Sequence, residues 1–193
     1  MFLQHIFSTF MAEDLLSLDN QALEEFCLSE KEQSLGRKIS NLGGWQSNDI
    51  DPGRKEIQPL LTELRNRVKE LYIGLDFNPA IEPRILNLWI NINGTYHHNA
   101  PHVHPGSLIS GTYYVKGDQS SGEIVFHTPV QSYNYTFTDK LVSKYNNFNS
   151  IECLHSPVPG KLILFPSWIT HHVRPNYSKE DRISISFNAV PLR

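Results

Sequence analysis

The sequence predicts a mainly β fold, a sandwich, barrel or jelly roll, with two helices ahead of it. Three observations carry this. After Pro83 the apolar residues recur at every second position, the period of a strand. Several such short runs follow one another, separated by linkers rich in Gly, Pro, Asn and Ser. Before residue 80 the apolar residues recur at helical spacing instead. A chain of 193 residues has room for one domain with a real core. The expectation is therefore a single domain over 1–193, with a helical part over 1–80 and a β core over 84–193.

Taken in order, residues 14 to 34 read as one helix. Asp14 or Ser17 would cap it, and Leu15, Leu18, Leu23 and Phe26 share one face. Residues 40 to 53 are turn-rich, with Gly43-Gly44 and Pro52-Gly53. A second helix from about 56 to 74 carries Leu60, Leu61, Leu64, Val68, Leu71 and Tyr72 as a stripe, and Gly74 is a plausible stop. Leu86, Leu88, Ile90 and Ile92 then alternate with Asn87, Trp89, Asn91 and Asn93, which is a strand, and Asn93-Gly94 is a turn signal. Further strands are expected at Ser107 to Val115, Glu123 to His127, Ser132 to Thr138, Lys161 to Phe165 and Arg182 to Val190. The Asn-rich stretch from Lys140 to Ser150 reads as a loop. The two helices are expected to cover one sheet.

Composition excludes several classes. Lys and Arg number 17 against 20 Asp and Glu, for a formal charge of -3, so there is no electrostatic case for nucleic acid as a partner. The strongest apolar run, Leu162 to Phe165, is far shorter than the ~20 residues of a membrane-spanning helix. The first residues lack an early Lys or Arg and are interrupted by Gln4 and His5, so no signal peptide is expected. Cys27 and Cys153 allow one bridge at most and form no metal-binding pattern. A cytoplasmic, reduced protein is the expectation.

Nine histidines are the compositional oddity, and His97, His98, His102 and His104 crowd into eight residues. On a strand, His102 and His104 point to one face, so both imidazoles can reach one ion. His171 and His172 are the candidates for a third, remote ligand. Two neighbouring ligands and one distant one leave half an octahedron open, which suits oxygen-activating iron. His97 and His98 read as exposed loop residues, His5 and His155 as surface, and His127 as a satisfied core histidine. In the last strand, Ile183, Ile185, Phe187 and Ala189 alternate with Arg182, Ser184, Ser186 and Asn188. Periodicity alone favours a solvated polar face. The alternative is a polar face that lines a wet cavity, where Arg182 would grip a carboxylate with two parallel hydrogen bonds.

The segments HVHPGSLISGTYYV, PGKLILFPSWITHHVRPN and DRISISFN, in that order, resemble the iron(II)- and 2-oxoglutarate-dependent oxygenases. The likeness is to the small prolyl-hydroxylase-like subfamily of bacteria and phages. SNLGGWQS at 40 to 47 and LWININ at 88 to 93 resemble it too, so the likeness spans roughly residue 40 to the C-terminus. The resemblance implies a double-stranded β-helix with helices outside. It implies His102 as the first iron(II) ligand, His171 as the distal one and His172 as its non-ligating neighbour. Arg182 and Tyr114 would hold the far carboxylate of the cosubstrate 2-oxoglutarate, and Asn91 would lie near its metal end. The implied reaction hydroxylates an unactivated C–H, such as that of a peptidyl proline or another amino-acid side chain. Succinate and carbon dioxide are its coproducts, and ascorbate would serve as reductant.

One departure stands out. Most of the superfamily carries Asp or Glu as the middle ligand, where this chain has His104, and no acidic residue occurs from Pro83 to Gly117. Either His104 ligates, or that place stays empty or water-filled. Spacing and the affinity of imidazole for iron favour ligation. Other readings stay open: a three-histidine cupin-type dioxygenase without 2-oxoglutarate, a three-histidine zinc hydrolase, and a non-catalytic jelly-roll binding module. Tyr133, Tyr135 and Phe137, with Trp45 and Trp168, are candidates for a substrate groove or for core packing.

Overall fold

The computed structural model describes residues 1–4 and 6–191, so the reading of His5 lies outside the described residues. The elements in chain order are β1 (Ala12–Leu15), α1 (Asn20–Gln33), β2 (Asn41–Leu42), β3 (Trp45–Gln46), α2 (Gln58–Gly74), β4 (Pro83–Asn93) and β5 (His98–His102). They continue with β6 (Ile109–Lys116), β7 (Ile124–His127), α3 (Tyr133–Thr136), β8 (Glu152–His155), β9 (Lys161–Pro166), β10 (His171–Val173) and β11 (Arg182–Pro191).

The strands form two antiparallel sheets, one ordered β1-β9-β6-β11-β4-β3 and the other β2-β5-β10-β7-β8. This is a double-stranded β-helix. The two helices cover the outer face of the larger sheet, as expected. There Leu23 and Phe26 of α1 and Leu60, Leu64 and Val68 of α2 join the core cluster with Leu88, Ile90 and Ile92 of β4 and Ile183, Ile185 and Phe187 of β11. Alternation does the rest: the in-between residues of β4 and β11 point the other way, into the space between the sheets. Their polar face is therefore the wall of a cavity and not a solvated surface. A second cluster, Tyr114, Ile124, Phe126, Ile163, Phe165 and Ile169, closes the space between the sheets on one side.

Several elements differ from the sequence reading. The first helix begins at Asn20, because the Asp19 side chain caps it by accepting from the N–H of Ala22 at 3.0 Å. Residues 12–15 form a strand instead, since pairing with β9 satisfies backbone groups on the edge of the larger sheet. The N-terminal 80 residues are thus not purely helical: β1, β2 and β3 belong to the two sheets. The strand expected at Ser132 to Thr138 is the single turn α3, where Tyr133 and Phe137 pack ring to ring at 4.6 Å and Tyr135 is exposed. Their every-second spacing has no neighbouring strand to pair with. The short strands β2, β3, β8 and β10 are too short to show a period of their own, and β5 ends at His102, so His104 lies beyond the strand rather than on it. Trp45 packs against the core with its ring N–H donating to the carbonyl of Ser34, while Trp168 is exposed. No described helix is long and apolar enough to cross a membrane.

Candidate active site

Three imidazoles meet at one end of the cavity. His102 closes β5, and His171 opens β10 directly opposite it in the antiparallel register. His104 lies two residues beyond His102, where its backbone N–H donates to the carbonyl of Ser167 at 2.8 Å and turns the ring inward. Candidate ligand atoms of the three rings all lie within 4.8 Å of one another, and the ring centroids are 4.3 to 5.1 Å apart. Each Nδ1 faces a partner: Ala100 O at 2.7 Å for His102, Ser110 Oγ at 2.7 Å for His104, and Ile169 O at 3.0 Å for His171. Backbone carbonyls can only accept, so His102 and His171 carry their protons on Nδ1 and present bare Nε2 lone pairs. Burial holds the rings neutral. It pulls His171 down to about 3 and His104 down to about 4, with neighbouring histidines adding to both shifts, and it lowers His102 as well.

The cavity measures about 320 Å³. Asn87, Trp89, Asn91 and Asn93 of β4 form one wall, and Arg182, Ser184, Ser186 and Asn188 of β11 form the next. Thr112 and Tyr114 of β6 sit between the sheets, and Arg37 reaches in from the N-terminal part. No acidic side chain lines it among the described residues.

Arg182 sits deep in this cavity at 2% exposure. Its Nη1 donates to the carbonyls of Ser121, Gly122 and Arg174, the last two at 3.1 and 3.2 Å. Its Nη2 is buried without any hydrogen-bond partner. Burial draws the guanidinium down to about 10, against the nearby Tyr114 phenol, and it stays charged at neutral pH. Burial likewise raises Tyr114. A buried cation with a free donor and no acidic side chain in the lining is suited to an anionic ligand. Asn91 shows the same deficit on a smaller scale: Nδ2 donates to Ser186 Oγ at 3.2 Å, and Oδ1 is buried and unpartnered. The donor set thus fits a divalent metal at the imidazoles and an anionic ligand reaching from it to Arg182.

All six residues singled out in the sequence (His102, His104, His171, Arg182, Tyr114 and Asn91) line this one cavity. The remaining described histidines do not. His172 points away from the cavity and stacks on His127 at 4.9 Å, with His127 Nε2 and His172 Nδ1 2.8 Å apart and Glu152 beside His127. His127 is therefore a partly exposed member of a polar cluster rather than a core residue. His97 accepts from the Gly94 N–H at 3.0 Å and holds the turn after β4. His155 is tied to Glu13 and lies 3.1 Å from Cys153 Sγ. Sequence reasoning missed Ser110, Asn93 and Arg37. Asn93 stands in the alternating row of β4 and Arg37 in an unpatterned stretch, and the fold brings both to the cavity, while Ser110 is set against His104.

Comparison with known proteins matches residues 87–188, just over half of the chain, to the family described as 2OG-Fe(II) oxygenase. Among solved structures, a prolyl-4-hydroxylase from Pseudomonas putida is 15% identical with a TM-score of 0.66, covering 94% of this chain and 93% of that one. A prolyl hydroxylase from Trichoplax adhaerens, solved with a hypoxia inducible factor oxygen degradation domain peptide fragment, is 14% identical with a TM-score of 0.64, covering 93% and 83%. Both likenesses are of fold. A curated relative, the phenylalanine–tRNA ligase alpha subunit of Petrotoga mobilis, is 30% identical over 123 residues, 63% of this chain. The chain spans only 33% of that relative's length.

Proposed function

Since this chain belongs to the 2OG-Fe(II) oxygenase family, we propose that its cavity holds iron(II) on His102, His104 and His171, with 2-oxoglutarate stretched from the metal to Arg182. When bound, the pair supplies the oxidising power that places an oxygen atom from dioxygen into an unreactive C–H bond.

The chain's own residues bind, orient and exclude water. The three imidazoles offer lone pairs without first having to lose a proton, because burial keeps them neutral. Arg182 Nη2 would donate to the far carboxylate, and the Tyr114 hydroxyl, which lines the same cavity, would donate beside it. On β4, Asn91 lies between Trp89, whose ring meets His104, and Asn93, which pairs with Arg182, and so lines the cavity between its two ends. Apolar rings, Phe165 against His171 at 4.8 Å and Trp89 against His104 at 5.6 Å, keep water from the bound groups. With His104 in place of a carboxylate and no acid in the lining, the site leaves more positive charge for the dicarboxylate to offset.

The observation that carries this reading is the unpartnered, buried guanidinium in the same cavity as the histidine triad. A three-histidine dioxygenase without 2-oxoglutarate, or a zinc hydrolase, leaves that group without a purpose. For the substrate we favour a peptidyl proline or another amino-acid side chain, supported by a fold shared with a hydroxylase solved around a peptide. Purified protein given iron(II), 2-oxoglutarate and dioxygen should form succinate, and proline-containing peptides should gain the mass of one oxygen. Turnover that persists without 2-oxoglutarate, or metal-loaded protein that makes no succinate, defeats the assignment.

A further inference from the structure

We infer that Ser110, Asn188, Asn87 and Asp49 form a hydrogen-bond relay that sets the tautomer of His104 and so leaves its Nε2 free to bind metal. This rests on the reading of His104 as a ligand and explains how that ligand is prepared.

His102 and His171 need no relay, since each gives its Nδ1 proton to the carbonyl two residues earlier. His104 has no such carbonyl. Its Nδ1 meets a hydroxyl, Ser110 Oγ, which can donate or accept. The direction has to come from further away. Ser110 Oγ lies 2.7 Å from Asn188 Oδ1, and Asn188 Nδ2 lies 3.1 Å from Asn87 Oδ1. Asn87 Nδ2 lies 3.4 Å from Asp49 Oδ2, and Asp49 Oδ1 accepts from Arg37 Nη2 at 2.6 Å.

A carboxylate oxygen only accepts. Asn87 must therefore turn its NH2 to Asp49 and its oxygen to Asn188. Asn188 must then turn its NH2 to Asn87 and its oxygen to Ser110. Ser110 gives its single proton to Asn188, and its lone pairs accept from His104 and from Ser167 Oγ at 2.8 Å. The Nδ1 of His104 thus carries the proton. A neutral imidazole in water favours the opposite tautomer, so the relay works against an intrinsic preference. The acidic group that the triad lacks is present after all, four hydrogen bonds away at the surface.

The relay makes an unusual prediction for Asp49→Asn. Arg37 can only donate, so it claims the new amide oxygen and leaves the NH2 facing Asn87. Every link then reverses, and Ser110 donates to His104 Nδ1. The proton moves to Nε2, where a metal would bind. Asp49 is half exposed, with its side chain 49% accessible, so this variant tests the relay without disturbing the core.

Nitrogen NMR of histidine-labelled, metal-free protein near neutral pH reads the tautomer directly, and anaerobic cobalt(II) titration reads affinity. In the unaltered protein His104 should be protonated on Nδ1. In Asp49→Asn it should switch to Nε2, and cobalt affinity should fall. Ser110→Ala should weaken cobalt binding roughly 10- to 100-fold, and Ser110→Thr should restore it. A His104 that keeps its proton on Nδ1 in both Asp49→Asn and Ser110→Ala overturns the relay. A switched tautomer with unchanged cobalt affinity overturns its role in ligation. If the unaltered protein takes up no cobalt, the ligand reading itself fails, while the tautomer result still judges the relay.

Discussion

Burial does two jobs at the scale of single residues: it keeps the imidazoles neutral and leaves Arg182 charged but unpaired. The first makes acid stability measurable. Below about pH 6.5, the ordinary histidine value, an unfolded chain takes up protons that folded His104 and His171 refuse until about 4 and 3. The unfolded state then binds more protons, so stability falls as pH falls through that window, by up to about 1.4 kcal/mol per pH unit for each refusing histidine. The melting temperature of metal-free protein should be flat above pH 7 on this account and drop progressively from about 6.5 to 4. His171→Gln should shallow that slope. Arg182 sets a second expectation. Arg182→Ala should weaken 2-oxoglutarate binding roughly 10- to 100-fold, the scale of a lost charged hydrogen bond. Titration of metal-loaded protein against 2-oxoglutarate reads it, and unchanged binding would remove Arg182 from the site.

Turns and short strands decide at the scale of elements where these residues sit. The Ser121-Gly122 turn before β7 supplies two of the three carbonyls that hold Arg182 Nη1. Gly122 has a φ of +82°, and a Cβ there would collide with the Arg174 carbonyl and come within 2.6 Å of the Pro175 carbonyl. Gly122→Ala should therefore cost about 2 kcal/mol or more in chemical denaturation. It should also lower 2-oxoglutarate affinity, because the acceptors that aim Arg182 would move. Wild-type affinity in a destabilised Gly122→Ala would mean that Arg182 is aimed by other contacts. Strand β10 makes the same point: in three residues it puts His171 opposite His102 and turns His172 outward onto His127.

Two sheets of uneven size enclose the cavity at the scale of the whole molecule, and ligand binding should lock them together. Occupancy stabilises the folded state by mass action, about 2.7 kcal/mol at a ligand concentration 100 times Kd. For a chain of this length that corresponds to a rise of roughly 5–10 °C in Tm. A thermal shift with 2-oxoglutarate that appears only when divalent metal is present is the expected outcome, since the ligand is held from both ends. A shift of equal size without metal would mean that the anion binds away from the histidines.

The linear order of residues by itself determined a great deal here. Period-two alternation announced the longer strands, HxH put two imidazoles near one another although only His102 lies on a strand, and the polar positions of β11 held Arg182, Ser184, Ser186 and Asn188 in one row. Alternation says that neighbouring side chains face opposite ways, but not what lies on either side. Only the folded molecule decided that the polar row looks into a cavity, because helices took the apolar face. The resemblance implied His171 and not His172, and the pairing of β10 with β5 is what sets His171 opposite His102. Folding likewise made a strand of residues 12–15, since an edge of β9 needed a partner more than a helix needed another turn. The direction of the His104 hydrogen bond lay furthest from view. It depends on side chains from separate parts of the chain, and proton direction is a property of the assembled network.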